Sequence, residues 1–179
     1  SGAVTARMLV ERGSKVVINY SRSVEKAESV AEACRESGGD VIVQRGDVSV
    51  DEDCRSLARA AIDRWGRIDG LVNNAGTTQF CAHHDLEGLS AADFQEIYAV
   101  NTIGAFQMVR AVAPHMEKTG VGAVVNVSSV AGVYSIGSSL AYIGSKGALN
   151  AITVAMARAL GPAIKINAVC PGYIESGWH

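Results

Sequence analysis

A tyrosine and a lysine four positions apart, Tyr142 and Lys146, are the residues of this 179-residue chain whose spacing best suits acid–base chemistry. On a helix, four residues correspond to about 400° of rotation, so both side chains would lie on one face. An isolated tyrosine has a pKa of about 10, and a nearby ammonium favours the phenolate. The pair therefore predicts that Lys146 lowers the pKa of Tyr142 toward the range where proton transfer is effective.

Ser129, thirteen positions before Tyr142, follows an apolar run that reads as a buried strand. It is placed to hold a substrate oxygen from another wall of the same cleft. The three residues together predict carbonyl reduction or alcohol oxidation, provided that the fold also holds a hydride carrier. The spacing alone is more typical of a tyrosine packed under a lysine stem.

Three apolar runs end in small or polar residues, which favours the catalytic interpretation. These ends are Asn73–Gly76, Ser128 with Ser129, and Pro171 with Gly172. In an open parallel sheet, ligands bind outside the carboxyl ends of the strands. The sequence therefore predicts one crevice lined by these three segments and by the beginning of the Tyr142 helix.

Short apolar runs alternate with helical stretches along the whole chain, and no repeat or linker interrupts them. Near-continuous apolar strands separated by helices indicate one domain, residues 1–179, with a parallel sheet covered on both faces. The predicted helices are 3–12, 24–37, 50–65, 91–118 and 140–160, and the predicted strands are 16–20, 41–45, 68–73, 123–127 and 164–169.

The first helix begins directly after Ser1 and Gly2, where a doubly wound fold needs a strand and a glycine-rich turn. Such a turn places a pyrophosphate on the helix N-terminus, and Gly2 would be its last glycine. We expect that a first strand, between the strands at 16–20 and 68–73, and a segment after His179 belong to the fold but lie outside this sequence. A truncated, inactive product is the alternative.

Composition indicates a cytoplasmic enzyme. The formal charge of −2 gives no electrostatic reason to bind nucleic acid or an anionic membrane, and no apolar stretch reaches the ~20 residues that cross a bilayer. The four cysteines lack C-x-x-C spacing, which favours reduced thiols. His83 and His84 are neighbours without nearby ligands, so we expect the rim of a substrate cleft and no metal site.

With these residues identified, the chain resembles the short-chain dehydrogenase/reductase family over essentially its whole length. The resemblance is closest to 3-oxoacyl-carrier-protein reductase-like and to sugar or polyol dehydrogenase-like members. It implies a Rossmann-type α/β fold and an NAD(P)-dependent oxidoreductase. The matching features are Asp47 with Val48, Asn73–Gly76, Asn101, Ser129 with Tyr142 and Lys146, and Pro171–Ser176.

The resemblance also implies a role for each matching residue. Tyr142 is the general acid or base, Lys146 assists it, and Ser129 binds the substrate oxygen. Asn101 supports catalysis through a helix kink and a water that links Lys146 to solvent; the alternative is an asparagine bonded to backbone. The implied cofactor-binding residues are Gly2, Asp47, Val48, Asn74, Ala75, Gly76, Tyr142, Lys146, Pro171, Gly172, Ile174 and Ser176.

Arg22 bears on the choice of cofactor. Residues 19–23, at the end of the predicted strand 16–20, include an arginine and no carboxylate. A carboxylate there would bind the ribose 2′-hydroxyl of NAD, whereas an arginine accommodates the 2′-phosphate of NADP. NADP(H) is favoured and NAD(H) is possible. The alternatives are that Arg22 is a solvated loop charge and that Asp47 is a simple turn aspartate.

The substrate is expected to be a small-molecule or carrier-bound carbonyl compound, because the loops 77–89 and 130–140 contain no lysine or arginine that would demand an anion. Related enzymes associate through the long helix at 91–118 and the Tyr142 helix, so a homodimer or homotetramer is expected. A non-catalytic, nucleotide-sensing regulator on the same scaffold is a second class of function, although such relatives typically lose the tyrosine or the lysine.

Overall fold

The computed structural model describes residues 1–174, in which helices and parallel strands alternate. Most predicted elements are confirmed to within two residues at each end. The helices are α1 (Gly2–Glu11), α2 (Val24–Glu36), α3 (Asp51–Trp65), α4 (Ala91–Tyr98), α5 (Ala105–Thr119), α6 (Ala131–Tyr134) and α7 (Leu140–Leu160). The strands are β1 (Val16–Tyr20), β2 (Val41–Arg45), β3 (Gly70–Asn73), β4 (Gly122–Val127) and β5 (Ile164–Val169).

The strands pair in two parallel groups. One group is β1 with β2, and the other has β4 between β3 and β5. Within residues 1–174 no strand connects β1 to β3, so the single sheet that the sequence predicted is divided at this point. The α/β Rossmann-type class is confirmed, and a further strand between the two groups stays a prediction.

Helices cover both faces of β1, because successive side chains of a strand point to opposite faces. Val16 and Ile18 pack with α1 and α2, around the buried Ala31 and Cys34. Val17 points the other way, into the larger core that α3, α5, β4 and β5 build. The predicted arrangement of helices on both faces is therefore present.

The predicted helix over 91–118 is interrupted by a π-helical turn, Ala99–Gly104, which we call the π segment. π turns inside α-helices occur frequently at functional sites. Gly104 allows the segment to approach the loop after β2, since a Cβ added there would lie 2.7 Å from Cγ2 of Val48. The prediction of one continuous helix was wrong, whereas the predicted irregularity at Asn101 is found.

The helix that carries Tyr142 begins at a well-defined cap. The buried hydroxyl of Ser139 accepts a hydrogen bond of 3.2 Å from the backbone N–H of Tyr142. A serine at this position satisfies one of the free N–H groups of the first helical turn and sets where the helix starts. The cap therefore determines the position of Tyr142 relative to the end of β4.

Among residues 1–174, no helix combines the length and the apolarity that crossing a bilayer requires.

Candidate active site

Ser129, Tyr142 and Lys146 lie together beyond the carboxyl end of β4. A side-chain hydrogen bond joins the Ser129 hydroxyl to the Tyr142 phenol. The Nζ atom of Lys146 lies 5.7 Å from the centroid of the Tyr142 ring, one helical turn along α7. The structure thus brings together the three residues whose spacing suggested acid–base chemistry.

Ser129 is oriented by its own loop. Its Oγ accepts a hydrogen bond of 3.1 Å from the backbone N–H of Ala131. Because this bond occupies a lone pair of the hydroxyl, the hydroxyl hydrogen is directed to another acceptor. Ser129 can therefore donate to an oxygen in the cleft.

Lys146 is almost completely enclosed, with 4% of its surface exposed. Its ammonium donates a hydrogen bond of 2.8 Å to the carbonyl oxygen of Val127, the last residue of β4. Burial disfavours the charged form and lowers the pKa of Lys146 to about 8, while a smaller electrostatic contribution from Cys170 acts in the opposite direction. This ammonium therefore loses its proton as the pH rises through about 8.

The pKa of Tyr142 is raised above its ordinary value of 10.0, because burial disfavours the phenolate more than the hydrogen bond from Ser129 favours it. The predicted lowering by Lys146 is wrong for this arrangement. The ammonium lies over the ring and is engaged with the Val127 carbonyl. Tyr142 is therefore a neutral phenol at physiological pH and can donate a proton.

Asn101 is buried in the π segment, where its side-chain amide clamps the loop after β3. Its Oδ1 accepts a hydrogen bond of 2.8 Å from the Thr77 N–H, and its Nδ2 donates one of 2.9 Å to the Thr77 carbonyl. Nδ2 also donates to the hydroxyl of Ser145, at 3.0 Å. The backbone-bonded alternative is thus seen, and the water relay to Lys146 stays a prediction.

Gly2 and Asn74, two predicted cofactor-binding residues, are in contact. A Cβ on Gly2 would lie 2.8 Å from Nδ2 of Asn74, and the Ser1 hydroxyl donates to Oδ1 of Asn74 at 2.6 Å. The N-terminus of α1 therefore meets the end of β3, where Ala75 and Gly76 follow. A helix N-terminus beside a strand end fits the phosphates of a dinucleotide, and a larger side chain at position 2 would fill this space.

Asp47 lies at the end of β2 with an exposed carboxylate. The carboxylate accepts hydrogen bonds from the hydroxyl and the N–H of Ser49, at 2.7 and 2.9 Å. These bonds, with a smaller contribution from the positive charge of Arg22, lower the pKa of Asp47. The turn-aspartate alternative is therefore present in the geometry, and Arg22 is close enough to influence the same site.

Val48 anchors this loop to the protein interior. Its side chain is buried, and its carbonyl oxygen accepts a hydrogen bond of 2.7 Å from Nε2 of the buried Gln107. Val48 therefore anchors the chain next to Asp47, and its contact with a cofactor stays a prediction.

The segment after β5 runs beside the Ser129 loop. The Ser128 N–H donates to the Val169 carbonyl at 2.8 Å, and the Val130 N–H donates to the Pro171 carbonyl at 3.0 Å. Gly172 and Ile174 follow Pro171 and are exposed. Pro171 therefore adjoins the Ser129 loop, whereas the predicted Ser176 lies outside the described residues.

Sequence reasoning missed a buried chain of polar side chains that joins β3, β4 and α7. Nδ2 of Asn73 donates to Oδ1 of Asn126 at 2.9 Å, and Nδ2 of Asn126 donates to Oγ1 of Thr153 at 2.9 Å. The available signal was an asparagine inside the otherwise apolar run 123–127, since a buried amide must find partners. These hydrogen bonds hold the middle of α7, at Thr153, against β4.

The loops 77–89 and 130–140 also contact each other. The hydroxyls of Thr78 and Ser138 are hydrogen-bonded at 2.6 Å, and Nε2 of His83 bonds the Gly137 carbonyl at 2.8 Å. His83 thus lies at the junction of these loops, and its position at the rim of a substrate cleft stays a prediction. Across residues 1–174, no cluster of three or more His, Cys, Asp or Glu side chains could hold a metal ion.

Comparison with known proteins agrees with this geometry. A family model described as short chain dehydrogenase matches residues 2–179. "Granaticin polyketide synthase putative ketoacyl reductase 2" of Streptomyces violaceoruber is 42% identical over 177 residues, which cover 99% of this chain and 70% of that protein. The 3-oxoacyl-[acyl-carrier-protein] reductase FabG of Staphylococcus aureus is 31% identical over 176 residues, with 98% and 70% covered.

A solved structure gives the same result. The crystal structure of NAD+-bound xylitol dehydrogenase superposes with a TM-score of 0.91 at 32% identity, covering 99% of this chain and 67% of that one. Tyr142 and Lys146 are both present and adjacent in space, so nothing in the site favours a non-catalytic regulator. The chain therefore belongs to the short-chain dehydrogenase family, whose oxidoreductases interconvert alcohols and ketones and bind NAD(P).

Proposed function

We propose that this protein reduces a ketone or 3-oxoacyl group to a secondary alcohol with NADPH, and catalyses the reverse reaction, with Tyr142 as the proton donor. The observation that carries the proposal is the hydrogen bond between Ser129 and Tyr142, with the Lys146 ammonium one helical turn away. A phenol and a second hydroxyl that converge on one point can both donate to a single carbonyl oxygen.

In reduction, Ser129 donates a hydrogen bond to the substrate carbonyl and stabilises the negative charge that develops on its oxygen. Tyr142 donates its proton to the same oxygen, and its raised pKa keeps that proton available at neutral pH. The nicotinamide supplies the hydride when the cofactor is bound. Lys146 then lies near the newly formed phenolate and stabilises it until a proton is regained from solvent.

Several chain segments would hold the cofactor. The α1 N-terminus at Gly2 would receive phosphate, with Asn74, Ala75 and Gly76 beside it. Asp47 and Val48 would contact the adenine. Lys146 would contact the nicotinamide ribose with Tyr142, and Pro171, Gly172, Ile174 and Ser176 would contact the nicotinamide.

Arg22 supports NADP(H) as the preferred cofactor. It follows the end of β1, and its positive charge acts on the Asp47 carboxylate, the residue that we propose to contact the adenine. A guanidinium matches a 2′-phosphate well. NAD(H) is the alternative, which the NAD+-bound xylitol dehydrogenase among the similar structures supports.

A carbon-chain ketone, free or attached to a carrier, is the substrate we favour, because two similar proteins carry ketoacyl and 3-oxoacyl reductase names. A sugar or polyol dehydrogenase is the second candidate, supported by the xylitol dehydrogenase. We also propose a cytoplasmic location, consistent with the four free thiols.

A homodimer or homotetramer is proposed as the assembly. Ile103, Phe106 and Val154 expose apolar side chains on the π segment, α5 and α7, the helices through which the resemblance implies association. Sedimentation of the purified protein that showed only monomer would contradict this assembly.

The function is tested by following the oxidation of NADPH and NADH with acetoacetyl thioester, simple ketones and keto-sugars. In the reverse direction, polyols are tested by following the reduction of NADP+ and NAD+. We expect thioester or ketone reduction with NADPH to be the fastest. Preferential oxidation of polyols would favour the second candidate, and turnover of none of these compounds would contradict the proposal.

A further inference from the structure

The backbone of Lys146 is packed against the short helix that follows Ser129. Gly132, the second residue of α6, lies against the peptide bond between Lys146 and Gly147. A Cβ added to Gly132 would lie 2.6 Å from the carbonyl carbon of Lys146, 2.7 Å from the Gly147 nitrogen and 2.8 Å from the Lys146 oxygen. Ordinary contact begins at 3.4 Å, so the two backbones approach more closely than any side chain at position 132 would allow.

Ser128 holds the same peptide group by a hydrogen bond. Its buried hydroxyl donates to the Lys146 carbonyl at 3.3 Å. The preceding residue, Val127, accepts the hydrogen bond from the Lys146 ammonium. The segment 127–132, which we call the serine segment, therefore contacts both ends of Lys146. It binds the ammonium through Val127 and the main chain through Ser128 and Gly132.

Ser129 lies within the serine segment, between the two residues that contact the Lys146 main chain. Its carbonyl accepts a hydrogen bond of 3.1 Å from the Gly132 N–H, which closes a turn between them. Ser128 precedes this turn and Gly132 ends it. A change in the distance between the serine segment and α7 would therefore move Ser129 relative to both Tyr142 and Lys146.

We propose that Gly132 and Ser128 are positioning residues, which set the place of the Lys146 ammonium and of the Tyr142 phenol relative to Ser129. The proposal rests on the function proposed above, because it assigns residues that support the same proton transfer. Gly132 acts by allowing the two backbones to approach, and Ser128 acts by holding the Lys146 carbonyl. Both residues act through Lys146 and not on the substrate.

Gly147 is the matched control for Gly132. It lies on the α7 side of the same contact, but a Cβ added there would lie 3.8 Å from the Gly132 carbonyl oxygen, an ordinary contact. Neither glycine has a positive φ, so the space around each one decides whether alanine is tolerated. Gly147→Ala should be accepted and should stabilise α7, because alanine favours a helix more than glycine does. Gly132→Ala must separate the serine segment from α7.

The first measurement is kcat for ketone reduction with NADPH. We expect Gly132→Ala to lower kcat about 10²-fold, because a displacement of about 1 Å at a catalytic group can cost this much. Gly147→Ala should keep the wild-type kcat. Equal kcat in the wild type and both variants, or equal losses in both variants, would overturn the role of Gly132.

The second measurement detects displacement of Lys146 without any turnover, through unfolding by denaturant as a function of pH. Burial lowers the pKa of Lys146 to about 8, the Cys170 thiol acts in the opposite direction, and the Tyr142 ring lies 5.7 Å from the ammonium. Between about pH 8 and 10.5 the unfolded chain retains a proton that the folded protein has lost, so the contribution of Lys146 to stability rises. Displacement of Lys146 admits water and returns its pKa toward 10.5. Gly132→Ala should therefore lose most of this rise, whereas Gly147→Ala should keep it.

Ser128→Ala tests the second residue, and it also carries the test if Gly132→Ala does not fold, because it adds no atoms. It should lower kcat about threefold to tenfold, as expected for one buried hydrogen bond. Ser128→Cys, with a weaker donor, should lie between Ser128→Ala and the wild type. Thr153→Ala removes a buried hydroxyl that donates to another α7 carbonyl, that of Leu149, at 2.6 Å, and should keep kcat. Equal kcat in Ser128→Ala and the wild type would overturn the role of Ser128.

The two proposals fail differently. Absence of turnover with every carbonyl compound would overturn the reductase function, while a loss of the pH-dependent rise in Gly132→Ala alone would still support the positioning of Lys146. Turnover by the wild type, with an undiminished rise and unchanged kcat in Gly132→Ala, would overturn the positioning role and leave the reductase function standing.

Discussion

The side-chain amide of Asn101 donates a hydrogen bond of 3.0 Å to the hydroxyl of Ser145, which is completely buried. Ser145 lies between Tyr142 and Lys146 on α7, and its hydroxyl donates in turn to the Tyr142 carbonyl at 2.8 Å. Thr102, also in the π segment, donates to the Ser145 carbonyl at 2.9 Å. The π segment therefore holds the helical turn that presents the phenol and the ammonium.

Ser145→Ala should lower kcat about tenfold or more while leaving KM for the cofactor nearly unchanged. The alanine leaves one N–H of Asn101 without its partner in a buried site, and the catalytic turn loses its attachment. Ser145→Cys should recover part of the activity. Thr153→Ala removes a buried hydroxyl from the same helix, away from the catalytic turn, and is the control: it should reduce stability and largely preserve kcat. Equal kcat in Ser145→Ala and the wild type would contradict this positioning role.

Lys146→Met should stabilise the protein at pH 7 although it impairs catalysis. Burial lowers the pKa of Lys146 from 10.5 to about 8, so holding the charge at neutral pH costs up to about 3 kcal/mol. The loss of the hydrogen bond to Val127 offsets part of this gain. We therefore expect denaturant unfolding to give Lys146→Met a free energy of unfolding about 1–2 kcal/mol above that of the wild type.

The stability difference should also depend on pH. Between about pH 8 and 10.5 the unfolded wild type retains a proton that the folded state has lost, so wild-type stability rises through this interval. The advantage of Lys146→Met should therefore shrink as pH rises. An advantage that is constant from pH 7 to pH 10.5 would contradict the lowered pKa.

Ketone reduction should be fastest below about pH 8 and decline above it. Lys146 loses its charge as pH rises through about 8, and with it the stabilisation of the phenolate that Tyr142 becomes after proton transfer. Alcohol oxidation should rise with pH, because it requires a deprotonated phenol whose pKa burial has raised. Profiles of kcat/KM in both directions check this, and a reduction rate that increases through pH 8 would be incompatible with it.

Arg22→Ala should lower kcat/KM for NADPH about tenfold and change it little for NADH. The expected cause is the loss of a charge-assisted contact with the 2′-phosphate. Arg12→Ala, at the C-terminal end of α1, removes another exposed guanidinium and should affect neither cofactor. Equal losses for both cofactors would assign Arg22 a structural role.

Sequence patterns predicted most elements correctly because their signals are local. The strands at 16–20, 41–45 and 164–169 and the helix at 140–160 have the predicted bounds. The continuous helix over 91–118 was wrong, because helical propensity does not report the amide of Asn101 bonding the distant backbone of Thr77. Local patterns could indicate an unusual residue there, but not the partner that produces the π segment.

In the candidate site, too, local features were predictable from the sequence and distant contacts were not. The spacing of Tyr142 and Lys146 predicted their shared face, and the structure also brings Ser129 to the phenol. The prediction that Lys146 lowers the pKa of Tyr142 was wrong. That pKa also depends on the burial of the phenol and on the Val127 carbonyl, which binds the ammonium. The contact of His83 with Gly137 spans 54 positions of sequence, and no local pattern encodes it.

Proton donation by Tyr142 is tested most directly by comparing Tyr142→Phe with the wild type in single-turnover NADPH oxidation by a reducible ketone or acetoacetyl thioester. Phenylalanine keeps the ring and removes only the hydroxyl. Tyr134→Phe, on a side chain that is 69% exposed, is the control. We expect Tyr142→Phe to lower the rate by about 10²-fold to 10⁴-fold with cofactor binding retained, and Tyr134→Phe to match the wild type. A near-normal rate in Tyr142→Phe would contradict the assignment of the proton donor.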